Sequence, residues 1–212
     1  MNQQITFPNG GPSTLEHRRR GPFGHTKWNK DEALREFRGL LQEGHYDGLW
    51  AVIRAFNRLR CWPQALELLA TEPSPSRELG DALQSFWITH CGLGDDSIGI
   101  GRSLKGNLFL FVDALKHHCL PYEGPAISLY RGELRARHER GVYGIAWTSS
   151  LQQAENFAER RRIVYEGEGI VLKINALPEM IVVGPNDHSS RIEEHEYLVD
   201  PRLIRGVSIA GS

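Results

Sequence analysis

From Asn29 onward the apolar positions recur at helical spacing. In "NKDEALREFRGLLQEG" Asn29 is a cap, Asp31 and Glu32 make the first turn acidic, Leu34, Phe37 and Leu41 share a face, and Gly44 ends the pattern. "DGLWAVIRAFNRL" sets Leu49, Val52, Ile53, Phe56 and Leu59 at i, i+3, i+4, i+7 and i+10, an amphipathic helix. Pro63 suits the first turn of a third helix, "PQALELLAT". "SPSRELGDALQSFWITHCG" predicts a fourth, with Ser74 as cap and Pro75 at the first position. "GNLFLFVDALKHHCLP" predicts a fifth, stopped by Pro121.

After Pro121 the pattern shortens. "AISLYRGE" (126–133), "YGIAWTS" (143–149), "GIVLKINAL" (169–177), "MIVVG" (180–184), "EYLVD" (196–200) and "RGVSIA" (205–210) are short, β-branched or aromatic, and parted by Gly, Pro and Asn. One helix interrupts them, "SLQQAENFAERRR", capped by Ser150, with Leu151, Ala154, Phe157 and Ala158 on its apolar face. Helices first and strands afterwards predict an α+β chain with a mostly antiparallel sheet. Residues 1–28, rich in Gly, Pro, Asn and Arg without periodicity, read as a flexible N-terminal arm. Residues 29–100 read as a helical region and 101–212 as a second unit.

Composition narrows the class. The hydrophobic share is 40% and the charged share 24%, which fits a soluble globular chain of 212 residues. A formal net charge of -1 gives no general pull toward nucleic acid or an anionic membrane. The basic runs "HRRR" (17–20) and "ERRR" (159–162) read as solvated surface. Cys61, Cys91 and Cys119 are odd in number and widely spaced, so no disulfide framework is expected. "HC" at 90–91 and "HHC" at 117–119 lack the tight ligand pairs of zinc sites, and no metal is expected. No run approaches the roughly 20 apolar residues of a membrane span. The N-terminus has no apolar signal core, so the expected location is cytoplasmic, or the cytoplasm of a target cell after delivery by another route.

Three places in the second half bear chemistry. Arg131, in "LYRGE", sits in an apolar strand, costly unless its guanidinium meets an anion, and Gly132 beside it admits a close approach to the backbone. "AWTSS" brings Thr148, Ser149 and Ser150 to a strand-to-helix junction. In "RIEEHEYLV", Glu194 and Glu196 would share one face of an extended strand and repel, unless a cation or substrate sits between them. Singly, each has an ordinary reading: a structural ion pair, a helix cap, a solvated edge strand.

Taken in order, they resemble the ADP-ribosyltransferases, in the branch with an Arg–Ser–Glu triad. "LYRG" resembles that family's arginine strand, "WTSSLQQAENFA" its Ser-Thr-Ser motif and following helix, and "EHEYLV" its Glu-x-Glu motif. The resemblance spans residues 108–212 and leaves 1–100 aside. The family's leading serine falls on Thr148, or on Ser149 if the register shifts by one. The resemblance implies a split, mostly antiparallel sheet and NAD as substrate. It implies Glu196 as the carboxylate facing the oxocarbenium-like transition state and Glu194 as the residue acting on the incoming nucleophile. Arg131, Gly132, Thr148, Ser149 and Tyr130 are the NAD-binding set it implies, with Arg131 on the diphosphate and Gly132 on the nicotinamide amide. Trp147 and Phe157 read first as core, and Arg160–Arg162 as a solvated helix end or a contact for the cofactor phosphates or an acidic partner. The loop 184–194, with Asn186, His188 and Arg191, would touch the acceptor.

The implied function is mono-ADP-ribosyl transfer to a macromolecular acceptor by a toxin or effector. Protein arginine is the first expectation and an RNA or DNA base the second. Such a toxin implies an inhibitor or antitoxin protein as a further partner, and no membrane. An NAD glycohydrolase and a non-catalytic interaction module are the alternatives.

Overall fold

The structure, a computed structural model, describes residues 28–43, 49–71, 76–90, 107–191 and 193–211. Residues 1–27 of the N-terminal arm, Gly44, Ser74, Pro75 and Cys91 lie outside them.

α1 (Lys30–Glu43) begins with a reciprocal cap. Asn29 Oδ1 accepts from the Glu32 N–H at 2.9 Å, and the Asn29 N–H donates to Glu32 Oε2 at 3.1 Å. α2 (Leu49–Leu59) buries Leu49, Val52, Ile53 and Phe56 completely, as its spacing predicts. α3 (Trp62–Thr71) carries Pro63 in its first turn. α4 (Arg77–His90) starts later than the sequence pattern indicates, and the Ser76 hydroxyl accepts from the Leu79 N–H. α5 (Leu108–His118) follows. Phe37, Phe56, Trp62 and Phe111 meet edge to face through the middle of this bundle, with ring centroids 5.0 Å, 5.6 Å and 6.3 Å apart in turn. His118 is buried and used for packing: its Nδ1 accepts from the Ser76 N–H, so its Nε2 donates to the Leu69 carbonyl, joining three helices.

The second half forms one six-stranded antiparallel sheet among the described residues, in the order β4-β5-β2-β1-β3-β6. Its strands are β1 (Ile127–Leu134), β2 (Ala146–Thr148), β3 (Gly169–Ala176), β4 (Ile181–Val183), β5 (Glu196–Val199) and β6 (Ser208–Ile209). The α+β class with a mostly antiparallel sheet is therefore observed. Three further helices lie among the strands, α6 (Arg135–Glu139), α7 (Leu151–Tyr165) and α8 (Asp187–Arg191), where the sequence pattern showed one. α6 and α8 are five residues each, too short to show a period. β2 is also shorter than its apolar run, and the Trp147 indole donates back to the Gly144 carbonyl at 3.1 Å.

Alternation along the strands sorts the two faces. Ile145, Val182 and Leu198 join the apolar core of α1–α5, so the helical layer and the sheet share that core. Leu129, Trp147, Leu172, Ile174, Ile181 and Val199 form a second core. α7 packs over β1 and β3. Gly132 is required there, because a Cβ would fall inside the α7 backbone at Ala154, Phe157 and Ala158. The close approach foreseen at Gly132 is thus made by a helix.

Candidate functional site

The sheet register brings distant residues into line. Tyr130 on β1 lies opposite Thr148 on β2, and Thr148 lies opposite Glu196 on β5. Directly opposed residues share a face, so the three side chains form a row across adjacent strands. On that face the helical bundle meets β2, β4 and β5 through Ala146, Val182 and Leu198, and α7 meets β1 at Gly132. The row lies at the seam between them. A cleft opens here, and six of the seven residues singled out by sequence line it: Tyr130, Arg131, Gly132, Thr148, Glu194 and Glu196. Ala146, Trp147, Phe157 and Arg161 complete its wall.

Ser149, the seventh, is exposed, and its N–H donates to the His195 carbonyl. Thr148 is buried and lines the cleft. Its hydroxyl donates to the Glu194 carbonyl at 2.6 Å and accepts from the Ser150 N–H at 3.0 Å. Of the two hydroxyls left open by the sequence, Thr148 is the one at the cleft. Ser150 is the helix cap, accepting from the Gln153 N–H.

Glu194 and Glu196 both line the cleft, though not by strand alternation. β5 begins only at Glu196, and Glu193 and His195 have φ of 58° and 44°, in the left-handed region. A kinked segment delivers Glu194 beside the strand. β5 is also an interior strand, between β4 and β2, so edge protection does not explain the pair.

The support for this kink comes from Ser189, which is completely buried on α8. Its hydroxyl accepts from the Glu196 N–H at 2.7 Å, and its carbonyl accepts from the Glu194 N–H at 3.1 Å. Asn186 starts α8, its Oδ1 accepting from the Ser189 N–H, and its Nδ2 donates to Ser85 Oγ on α4 at 3.1 Å. Gln84, also on α4, donates to the Gly184 carbonyl at 2.7 Å. The helical region therefore braces the segment that carries both glutamates. Asn186, an expected acceptor contact, is used inside the protein, Arg191 is exposed, and the His188 side chain lies outside the described residues.

Arg131 lies where β1 and β2 diverge. β1 and β2 pair at a single register point, Tyr130 with Thr148. Past it the strands part, and Arg131 Nη1 spans the gap to the Ala146 carbonyl at 2.6 Å. Its Nε donates to Glu133 Oε2 at 3.1 Å. An anionic partner of Arg131 is thus Glu133, two residues on.

Glu133 is the residue that sequence reasoning passed over. It is fully buried, and three guanidinium groups converge on it: Arg131 at 3.1 Å, Arg137 on α6 at 3.3 Å and Arg161 on α7 at 3.6 Å. It also accepts from the Leu134 N–H at 2.9 Å. Of the run Arg160–Arg162, only Arg161 is buried and lines the cleft. Arg160 lies over the Phe157 ring, and Arg162 pairs with Glu159 at 2.7 Å.

The result is a charge-divided cleft. Guanidinium groups line it from β1 and α7, and two carboxylates from the β5 side. Two strand spacings, roughly 10 Å, separate β1 from β5. Such a cleft suits a ligand that is anionic at one end and cationic, or becoming so, at the other. A larger groove runs beside α4 past Gln84, Cys119, Tyr122 and Asn186. Burial, with Asp81 adding to it, pushes the Cys119 thiol there up to about 12, so it is no nucleophile at neutral pH. Among the described residues no group of three or more His, Cys, Asp or Glu is arranged to hold a metal ion, and no helix is long and apolar enough to cross a membrane.

No protein-family model, no curated protein and no solved structure matches this chain.

Proposed function

We propose that this chain is an NAD-dependent mono-ADP-ribosyltransferase that cleaves the nicotinamide–ribose bond and passes ADP-ribose to a macromolecular acceptor. The observation that carries the reading is the row Tyr130–Thr148–Glu196 with Glu194 beside it, facing guanidinium groups across one cleft. The ordered resemblance of "LYRG", "WTSS" and "EHEYLV" to an Arg–Ser–Glu transferase supports it.

The chemistry follows from the layout. As the glycosidic bond breaks, positive charge gathers on the ribose ring, and Glu196 is the fixed carboxylate that charge would face. Glu194 orients the acceptor nucleophile and takes its proton. Thr148 holds the Glu194 carbonyl, which fixes the reach of that side chain from the backbone. The guanidinium wall receives the anionic diphosphate. Protein arginine is the first acceptor class, by the Glu-x-Glu form.

Purified protein incubated with adenylate-labelled NAD and a cell lysate tests this. Label should become acid-precipitable, sensitive to protease, and absent with Glu196→Ala. Glu194→Ala should lose transfer and keep nicotinamide release. Label sensitive to nuclease instead would move the acceptor to nucleic acid. Nicotinamide release by the wild type with no labelled product would make it a glycohydrolase, and release of neither would overturn the enzyme reading in favour of an interaction module.

A further inference from the structure

We infer that Gln84, on α4, is a positioning residue for Glu194 and Glu196, so that the helical region helps to set turnover at the cleft. The inference rests on the NAD reading for the reaction and on the geometry for the placement.

Gln84 is a polar side chain where packing alone would take an apolar one. It is 1% exposed, on the same helix as the buried Leu83 and Trp87. A buried amide is costly unless it is bonded, and Gln84 Nε2 donates to the Gly184 carbonyl at 2.7 Å. Gly184 is the first residue after β4, where the chain leaves the sheet for α8. The next residue of α4, Ser85, accepts from Asn186 Nδ2 at 3.1 Å. Consecutive residues of α4 therefore grip the chain before and after Pro185.

From there the hold passes to the glutamates. Asn186 Oδ1 accepts from the Ser189 N–H at 2.9 Å, the Ser189 hydroxyl accepts from the Glu196 N–H at 2.7 Å, and the Ser189 carbonyl accepts from the Glu194 N–H at 3.1 Å. The Asn186 amide serves both neighbours in one orientation only, since its reversal would set an NH2 group against the Ser189 N–H. The backbone shows why such a grip is needed. Glu193 and His195, on either side of Glu194, lie in the left-handed region although neither is glycine. Such conformations persist only where the surroundings over-determine them. Thr148 holds this segment from β2 and Ser189 holds it from α8. Loosening the α8 side lets Glu193 and His195 relax, and the carboxylates lose the fixed reach that stabilising a developing charge requires. No described residue of α4 lines the cleft, and Gln84, Ser85 and Asn186 line the groove beside α4 instead. Altering Gln84 therefore removes no wall of the cleft, and its effect falls on kcat rather than KM.

The test pairs two readouts on the full chain, amide hydrogen exchange at residues 193–196 and nicotinamide release from NAD, for wild type, Gln84→Leu, Asn186→Ala and Leu66→Ala. Gln84→Leu should speed exchange at 193–196 by about tenfold, the equivalent of one lost hydrogen bond, and leave β3 unchanged. It should lower kcat by about tenfold and hold KM within about twofold. Asn186→Ala breaks the same relay next to α8 and should act likewise, which keeps the test decisive even if Gln84→Leu does not fold. Leu66→Ala opens the bundle core on α3, away from the joint. It should lower the melting temperature and leave both kcat and exchange at 193–196 as in the wild type. Wild-type exchange at 193–196 in both joint variants, faster exchange with unchanged kcat, or an equal loss of kcat in Leu66→Ala overturns the inference. Any of these beside nicotinamide release by the wild type spares the enzyme reading. Faster exchange in both joint variants, with no nicotinamide release by the wild type, upholds the placement of the glutamates by α4 and sinks the enzyme reading.

Discussion

Two carboxylates, Glu133 and Asp200, are buried almost completely in this protein, and each is surrounded by basic side chains. Their settings differ. The arginines around Glu133 are buried or nearly so, with side chains 4%, 12% and 7% exposed. Those around Asp200, Lys116 and Arg202, keep 38% and 37% of their surface in solvent. Asp200 is a clamp: Lys116 reaches it from α5 at 2.7 Å, and Arg202 joins it at 2.8 Å while also holding Asp113 of α5. Glu133 gathers three arginines, two of which, Arg131 and Arg161, line a cleft. The same ion-pair chemistry fastens a helix to a sheet in one place and prepares a charged wall in the other, and the burial of the partners decides which.

The sharpest way to break this comparison is to delete each carboxylate. Glu133→Ala leaves buried guanidinium groups without their shared anion, and it should cost about 3–5 kcal/mol by urea unfolding. Asp200→Ala should cost less, about 1–3 kcal/mol, because Lys116 and Arg202 can rehydrate. Equal losses would show that partner burial does not matter here. Acid provides a second contrast. Burial alone would raise the Asp200 carboxyl, but hydrogen bonds from Arg202 and Lys116 outweigh it and hold the group down from 3.8 to about 2. A lowered folded-state value stabilises above pH 4, and that contribution is lost as pH falls through about 2. Stability should therefore drop by about 2 kcal/mol across this window. In Asp200→Asn that part of the slope should vanish. An unchanged slope would remove Asp200 as its source.

Smaller effects sharpen the account of the glutamates. Ser189→Ala leaves the Glu196 N–H without its 2.7 Å acceptor and should cost about 1–2 kcal/mol. It should lower the rate constant for nicotinamide release with little change in KM, since positioning rather than binding is lost. Unchanged turnover would show that Ser189 supports only the fold. Smallest of all, Ser149→Ala should change stability by less than about 0.5 kcal/mol, whereas Thr148→Val, which loses both hydroxyl hydrogen bonds, should be measurably destabilised.

How much of this was legible in the sequence depends on the range of the interaction involved. The amphipathic period of α2 and the cap at Asn29 are local, and both stand as read. The likeness of the three motifs pointed to residues that the register of β1, β2 and β5 then brings to one cleft. Glu133 was hidden because "RGE" looks the same whether the carboxylate meets water or three arginines. A signal for Arg161 did exist: Ala154, Ala158 and Arg161 share a helical phase, while Leu151, taken for the apolar face, is 44% exposed. The kink at Glu193 and His195, the bridge from Arg131 to Ala146, and the brace from Ser85 to Asn186 depend on partners distant in the chain or on unusual backbone angles. No period or spacing encodes them.

The most direct test of the central claim is the initial rate of nicotinamide release from NAD, measured for the wild type beside Glu196→Gln. Gln keeps the size of the side chain and removes its charge. The account predicts release by the wild type and a loss of at least about a hundredfold in Glu196→Gln, with the melting temperature unchanged. Equal rates in the two proteins, or no release by the wild type, would contradict it.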